Sequence, residues 1–260
     1  MATDKHVLKN VVFSLGGLRL STAANSLTPN FEAPPVDASC FEDPANRYLK
    51  GPVGGSVTFS GGATCLVEEQ ALDRLAAAED PCEPLLILLN SGGAVGSFAM
   101  FFEATAFKYQ RSGQRGSLAE FSLECMAQGL PYGGPVLYNN LGTPGLTASG
   151  VGAAIDLGRT LGPGEKLVVS LHVVNPPGVT GTSPTLDVEL ESDIGASFAA
   201  PVSRASFSQV LGEPAAEQIV LDGDTDPITP HTFYRPRFTV SGTGGVAYYV
   251  LMALAIVTEP

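Results

Sequence analysis

The chain has 260 residues, of which 44% are apolar and 15% charged, a balance that supports a buried core and excludes a disordered chain. Its net charge is −12, the opposite of the basic footprint that neutralises phosphates, so a nucleic-acid-gripping module is excluded. The acidity is spread along the chain: 9 Lys and Arg against 14 Asp and Glu through residue 145, then 5 against 12. Thirty Gly and twenty Pro break element interiors and populate turns, which favours many short strands over long helices. A collagen-like chain would need Gly at every third position, and no such period is present.

In chain order, residues 7–15 read as a strand closed by Gly16-Gly17, and residues 18–27 as a second one. Two glycines between apolar runs are a hairpin signal. Residues 28–52 carry prolines and no clean period, so a long irregular loop is expected there, of the kind that a partner orders. Residues 55–61 alternate like a strand. Residues 67–78 place Val67, Ala71, Leu72 and Leu75 at helical spacing, with Glu68, Glu69 and Asp73 early, where they complement the helix dipole. Asp80-Pro81 stops that helix. Strands are expected at 85–89, 95–109 and 117–128, the last two joined by a basic, Gly-containing turn that holds Arg111 and Arg115.

A Gly-, Pro- and Asn-rich break follows at 129–148, and the domain boundary is placed in it, dividing 1–145 from 146–260. The second part has strand signals at 152–157, 165–174, 185–192, 217–221, 233–241 and 246–257. Their spacing, with turn residues between, implies an antiparallel β-sandwich. The most apolar run, 246–257, falls well short of the ~20 residues that span a bilayer, so it is expected to be a buried last strand and no membrane insertion is expected. No apolar leader follows the first residues, so synthesis in the cytoplasm is expected.

Searches for chemistry fail one by one. No Gly-x-Ser-x-Gly elbow occurs. The three histidines, His6, His172 and His231, lie in a terminus, an alternating strand and a Pro-rich turn, none a recognisable setting for a general base, so no catalytic residue is assigned. Gly242-Thr243-Gly244-Gly245-Val246-Ala247 matches a dinucleotide fingerprint in letters only, because such a site needs a following helix, a second strand and an acidic residue ~20 residues on, and only thirteen residues follow Ala247. A glycine hairpin loop is the better reading. Asp222, Asp224 and Asp226 alternate like calcium ligands, yet Pro227 and Phe233 occupy the places where an EF-hand needs Gly and Glu. A solvated acidic turn is expected. Cys40, Cys65, Cys82 and Cys125 lack Cys-x-x-Cys spacing, which favours reduced thiols over zinc, and spacing leaves disulfides open. No cofactor and no metal are therefore expected.

Three phrases at the start of the chain carry a resemblance. They are Val-Val-Phe-Ser-Leu-Gly-Gly-Leu-Arg-Leu-Ser (11–21), Ala-Ala-Asn-Ser-Leu-Thr-Pro-Asn-Phe-Glu (23–32) and Pro-Val-Asp-Ala-Ser-Cys-Phe-Glu-Asp (35–43). Together with the order strand, turn, strand, long loop, strand, helix and long hairpin, this opening resembles the tail tube proteins of long-tailed bacteriophages. Asp37, Ser39, Phe41 and Asp43 match a loop motif of that family, while Glu42 stands where the family often has Gly. Leu-His-Val-Val (171–174) and Phe-Thr-Val-Ser-Gly-Thr (238–243) resemble the β-sandwich appended to some members.

The resemblance implies a mainly β protein with an N-terminal tail-tube-like sandwich or barrel carrying one helix, plus a C-terminal antiparallel sandwich as decoration. It implies a structural virion protein of the tail, made in the host cytoplasm, whose copies form hexameric rings stacked into a tube. Its partners would be itself, a tape-measure protein and tail-end proteins, with DNA passing unbound. Phe31, Asp37, Phe41, Tyr48, Arg111 and Arg115 are the expected contacts between subunits or rings. The competing reading is a capsid decoration or fibre-type adaptor whose C-terminal sandwich binds a host surface. It lacks support from aromatic platforms, since the chain has no Trp.

Overall fold

The computed structural model describes residues 11–21, 24–32, 35–37, 48–50, 54–62, 66–77, 82–88, 93–112, 120–127, 131–174, 184–211, 214–225, 227–228, 230–242 and 247–258. The chain is mainly β, as the turn-rich composition implies. The first half holds β1 (Val12–Leu15), β2 (Leu18–Arg19), β3 (Ala24–Glu32), β4 (Pro35–Asp37), β5 (Tyr48–Lys50), β6 (Gly54–Gly62), α1 (Leu66–Ala77), β7 (Glu83–Leu88), β8 (Phe98–Ser112), β9 (Glu120–Ala127) and β10 (Tyr132–Asn139). The second holds β11 (Gly150–Val151), β12 (Ile155–Asp156), β13 (Glu165–Val174), β14 (Thr185–Asp193), β15 (Val202–Ser206), β16 (Ala215–Asp222), β17 (Phe233–Ser241) and β18 (Tyr249–Thr258).

Two compact units emerge, and they interleave along the chain. Unit 1 comprises residues 1–21, 83–101 and 132–260, and unit 2 comprises 22–82 and 102–131. This differs from the division at residue 145 suggested by the Gly/Pro break. The physical reason is long-range pairing: β10 lies antiparallel to β18, with Val136 opposite Ala253 and Asn139 opposite Leu251. Strands from both sides of the break therefore share one sheet.

Unit 1 contains two sheets. One runs β16-β13-β18-β10, continues through the first residues of β8, and ends β7-β1-β2. The other runs β11-β17-β14-β15, with β12 also on β17. One core holds Val169, Leu171, Val250 and Met252 of the first sheet with Leu186, Val188, Tyr234 and Phe238 of the second. A second core gathers Val168, Leu251 and Ala253 with Val12, Leu86, Phe101 and Val136. Strands β13 and β18 thus bury both faces. That is why 249–258 reads as a continuous apolar run with no alternation.

Two glycine positions make the close packing workable. Gly16 and Gly17, at φ +54° and +80°, form the β1–β2 turn, with Leu15 opposite Leu18. At Gly134 a Cβ would lie 2.0 Å from the Leu254 carbonyl oxygen, so only glycine lets β10 approach β18 there.

Unit 2 is a four-stranded antiparallel sheet in the order β3-β6-β9-β8, with α1 and the short β4–β5 ribbon. The expected irregular stretch 28–52 is partly strand. β3 reaches Glu32, paired in register from Ala24 opposite Gly61 to Glu32 opposite Gly54. A Ser-, Thr- and Pro-rich sequence hides this strand from propensity, and pairing with β6 holds it in place.

Candidate assembly surface

The sheet of unit 2 has two unlike faces, dictated by side-chain alternation. Val57, Phe59, Phe121, Leu123 and Cys125 are buried on one face. Arg111 lies on that face, opposite Phe121, and its guanidinium pairs with Asp73 of α1. The helix therefore covers this face, with Leu72 fully buried. Arg111 also stands 5.4 Å over the Tyr109 ring. The opposite face shows Ser26 and Thr28 of β3, Thr58 and Ser60 of β6, Ser122 of β9 and Gln110 of β8, aligned by the register. One cross-strand pair on it, Lys108 opposite Glu124, sets opposite charges side by side. Hydroxyl-bearing side chains dominate this face, and Met126, opposite Ser56, is an exposed apolar side chain on it.

The sheet ends in β3, whose only strand partner among the described residues is β6. Asn25, Ser26, Thr28, Pro29 and Asn30 are all exposed. An unpaired edge presents backbone N–H and C=O groups to another chain. Pro29 removes one donor and the register shift between Ala24 and Ser26 bends the strand. Both features limit which partner strand fits.

Of the six expected contact residues, four lie among the described residues. Phe31 lies near the end of β3, opposite Gly55. Asp37 and Tyr48 are direct partners in the β4–β5 ribbon, so two residues eleven positions apart are brought together. Arg111 is engaged within its own chain, with Asp73. Phe41 and Arg115 lie outside the described residues.

Of the histidines weighed in the sequence, His6 lies outside the described residues, His231 is part-buried with Nδ1 3.0 Å from Ser192 Oγ, and His172 is closed off. His172 sits 3.1 Å from both Ser170 Oγ and Ser14 Oγ, but all three residues are fully buried. Burial pushes the imidazole down to about 3, so it is neutral and structural. In the acidic turn, Asp222 accepts the Asp224 N–H at 2.9 Å and Asp224 accepts the Gly164 N–H at 2.8 Å. These carboxylates serve the turn itself. Among the described residues no group of three or more His, Cys, Asp or Glu is placed to hold a metal ion, and no helix is long and apolar enough to cross a membrane. The exposed Cys82 thiol donates to Glu103 Oε2 at 3.7 Å, and the Cys125 side chain is buried.

No family model and no curated protein matches the chain. Among solved structures, the chain is similar to a protein in the tail of an empty gene transfer agent particle refined with C6 symmetry. That match is 15% identical, covers 42% of this chain and 80% of that one, and has a TM-score of 0.32. A chain of the native gene transfer agent virion matches at 14% identity over 49% and 97%, TM-score 0.35. The SPP1 Dit protein, from the hub adsorption apparatus of phages infecting Gram-positive bacteria, matches at 9% identity over 96% and 100%, TM-score 0.34. With every TM-score below 0.5, these likenesses carry no inference about function.

Proposed function

We propose that this chain is a structural protein of a phage-type tail and assembles with copies of itself into rings through unit 2. The observation that carries the reading is the outer edge of β3, a nine-residue strand with no strand beyond it among the described residues. The opening phrases that resemble tail tube proteins support it independently. In this reading the β4–β5 ribbon, which pairs Asp37 with Tyr48, is a second contact element, with Phe31 and Phe41 as apolar anchors and Arg111 and Arg115 at the rim. Heterologous contacts of this kind close into a ring when the rotation completes, and hexamers stacked into a tube are the finer form proposed. The strands of residues 146–260 are then the appended decoration that the resemblance implies. No cofactor enters, and the acidic chain lets DNA pass without counterion-releasing contacts.

Negative-stain microscopy of the purified chain tests this. Rings or stacked tubes are the expected result, and single rings that never stack place the protein at a tail end. Monodisperse monomers at high concentration contradict the reading.

A further inference from the structure

In the β1–β2 hairpin Arg19 stands directly opposite Ser14, and opposed residues of an antiparallel pair share a face. Ser14 is fully buried, with its Oγ 3.1 Å from His172 Nδ1 of β13, so this face looks into unit 1. Two residues beyond His172, Val174 stands opposite Tyr249 of β18. Val174 belongs to the core that also holds Val12, Leu86 and Leu251, and Leu141 and Tyr249 pack against that core. Inward-facing residues of β2, β13 and β18 therefore meet the turn after β10 at one end of this core. A cleft of about 290 Å³ opens there, lined by Arg19, Leu141, Gly142, Thr143, Val174 and Tyr249. The turn that forms one wall is pinned to β18: buried Asn140 donates to the Tyr248 carbonyl at 2.9 Å and accepts the Val250 N–H at 2.7 Å.

Arg19 is part-buried. Its Nε reaches Ser21 Oγ at 3.3 Å, and no carboxylate pairs with it among the described residues. No Asp or Glu is among the described residues that line the cleft. Residues 22–23 and 175–183, which follow Ser21 and Val174 in the chain, contain none either. The contrast within unit 1 is sharp: Arg159 pairs with Glu165, and Arg235 and Arg237 both pair with Glu191. Thr143 Oγ1 already donates to the Asn140 carbonyl at 2.8 Å, which leaves the Arg19 guanidinium and the Tyr249 hydroxyl as the side-chain donors of the cleft. A part-buried cation without a counter-charge, set against apolar walls, is a costly arrangement that an anion relieves.

We propose that this cleft binds a small organic oxyanion, meaning a carboxylate or phosphate group carried on an apolar body. The planar fork of Arg19 takes two oxygens of the anion, and the Tyr249 hydroxyl adds a neutral donor. Leu141, Val174 and the Tyr249 ring hold the apolar body. The volume lies at the low end for ligand sites, ~300–1,000 Å³, which restricts the occupant to a small molecule. The site lies in unit 1 and stands or falls independently of ring assembly.

The test is isothermal titration of the full chain with benzoate, phenyl phosphate, inorganic phosphate and benzyl alcohol at fixed ionic strength. Two temperatures are used so that a binding enthalpy near zero at one of them does not hide the event. Saturable binding of an aromatic anion at one site per chain is expected, and the ranking of benzoate against phenyl phosphate identifies the head group taken. Inorganic phosphate lacks the apolar body and benzyl alcohol lacks the charge, so each binds about tenfold more weakly or worse. Arg19→Gln weakens binding about tenfold or more. Tyr249→Phe keeps the ring and weakens it about three- to tenfold, which preserves the test if the Arg19 variant does not fold. Absence of saturable heat with both aromatic anions overturns the proposal. So does unchanged affinity in folded Arg19→Gln, or benzyl alcohol binding as tightly as benzoate.

Discussion

Strand β18 of unit 1 and strand β6 of unit 2 show how one polymer is used in two ways. From Val250 to Ala255 every residue of β18 is buried, because two cores claim its two faces. In β6 burial alternates, with Val57 and Phe59 inside and Ser56, Thr58 and Ser60 part-exposed. β18 is central, paired along its length to β13 and also to β10. β6 lies one strand from an open edge. Two strands of unit 1 are thus buried on both faces, whereas the sheet of unit 2 buries one face and ends in β3 among the described residues.

The largest effect expected from this contrast is the loss of β18. A chain ending at residue 147 lacks β13 and β18, so β10 keeps β8 but loses β18, and both cores of unit 1 open. Insoluble expression, or the absence of a cooperative melt, is the expected outcome. A soluble, cooperatively folded product would show that unit 1 is not the interleaved body described. Gly134→Val is the single-residue version. Its side chain meets the Leu254 carbonyl, and a destabilisation of about 3 kcal/mol or more is expected in denaturant titration.

In unit 2 the two faces of β6 should respond very differently. Phe59→Ala removes a fully buried ring and should cost about 3–5 kcal/mol. Ser60→Ala, its neighbour on the hydrophilic face, should stay within about 0.5 kcal/mol. Equal effects would contradict the two-faced sheet.

Acid should weaken unit 1 through His172. Its folded value lies near 3, below the ordinary imidazole value of 6.5, so the unfolded chain binds the extra proton between those values. The neutral-histidine contribution is whole above about pH 6.5, declines as pH falls, and levels off below about pH 3. The limiting slope is ~1.4 kcal/mol per pH unit, so a loss of about 2–3 kcal/mol by pH 4.5 is the expected order. A His172→Gln variant should remove that part of the slope from pH-dependent melts, and an unchanged slope would contradict the burial. A small effect is also expected at Arg111. Its pair with Asp73 is about half exposed on both sides, and breaking it should cost about 0–1 kcal/mol.

How much of this was legible in the residues depends on what held each element. β13 and β17 coincide with the runs expected at 165–174 and 233–241, and α1 with its apolar stripe, because local pattern and burial agree there. β10 was missed. Gly133-Gly134-Pro135 looks like a turn, yet it is a strand whose glycine admits the backbone of β18. β3 was cut short at residue 27 because Pro29 and the polar residues around it do not announce a strand. Its pairing with β6 is a long-range fact. The interleaved units were illegible for the same reason, since the β10–β18 ladder joins residues more than a hundred positions apart. Of the candidate contacts, the pairing of Asp37 with Tyr48 required the ribbon register, and Arg111 was legible as a charge but not as the partner of Asp73. The hydrogen-bonded cluster of Ser192, Arg204 and His231 left no sequence signal, because the three meet only through the fold.

The central claim is that unit 2 assembles through its β3 edge and adjoining ribbon. Glu32 and Gly54 are register partners, so residues 33–53 can be replaced by a two-residue Asn-Gly turn that closes the β3–β6 hairpin directly. Sedimentation velocity and negative-stain microscopy of that variant beside the wild-type chain decide the matter. The account predicts wild-type rings or tubes and a folded variant, with unchanged far-ultraviolet circular dichroism per strand residue, that stays monomeric. A variant that forms rings or tubes as readily as the wild type would contradict it.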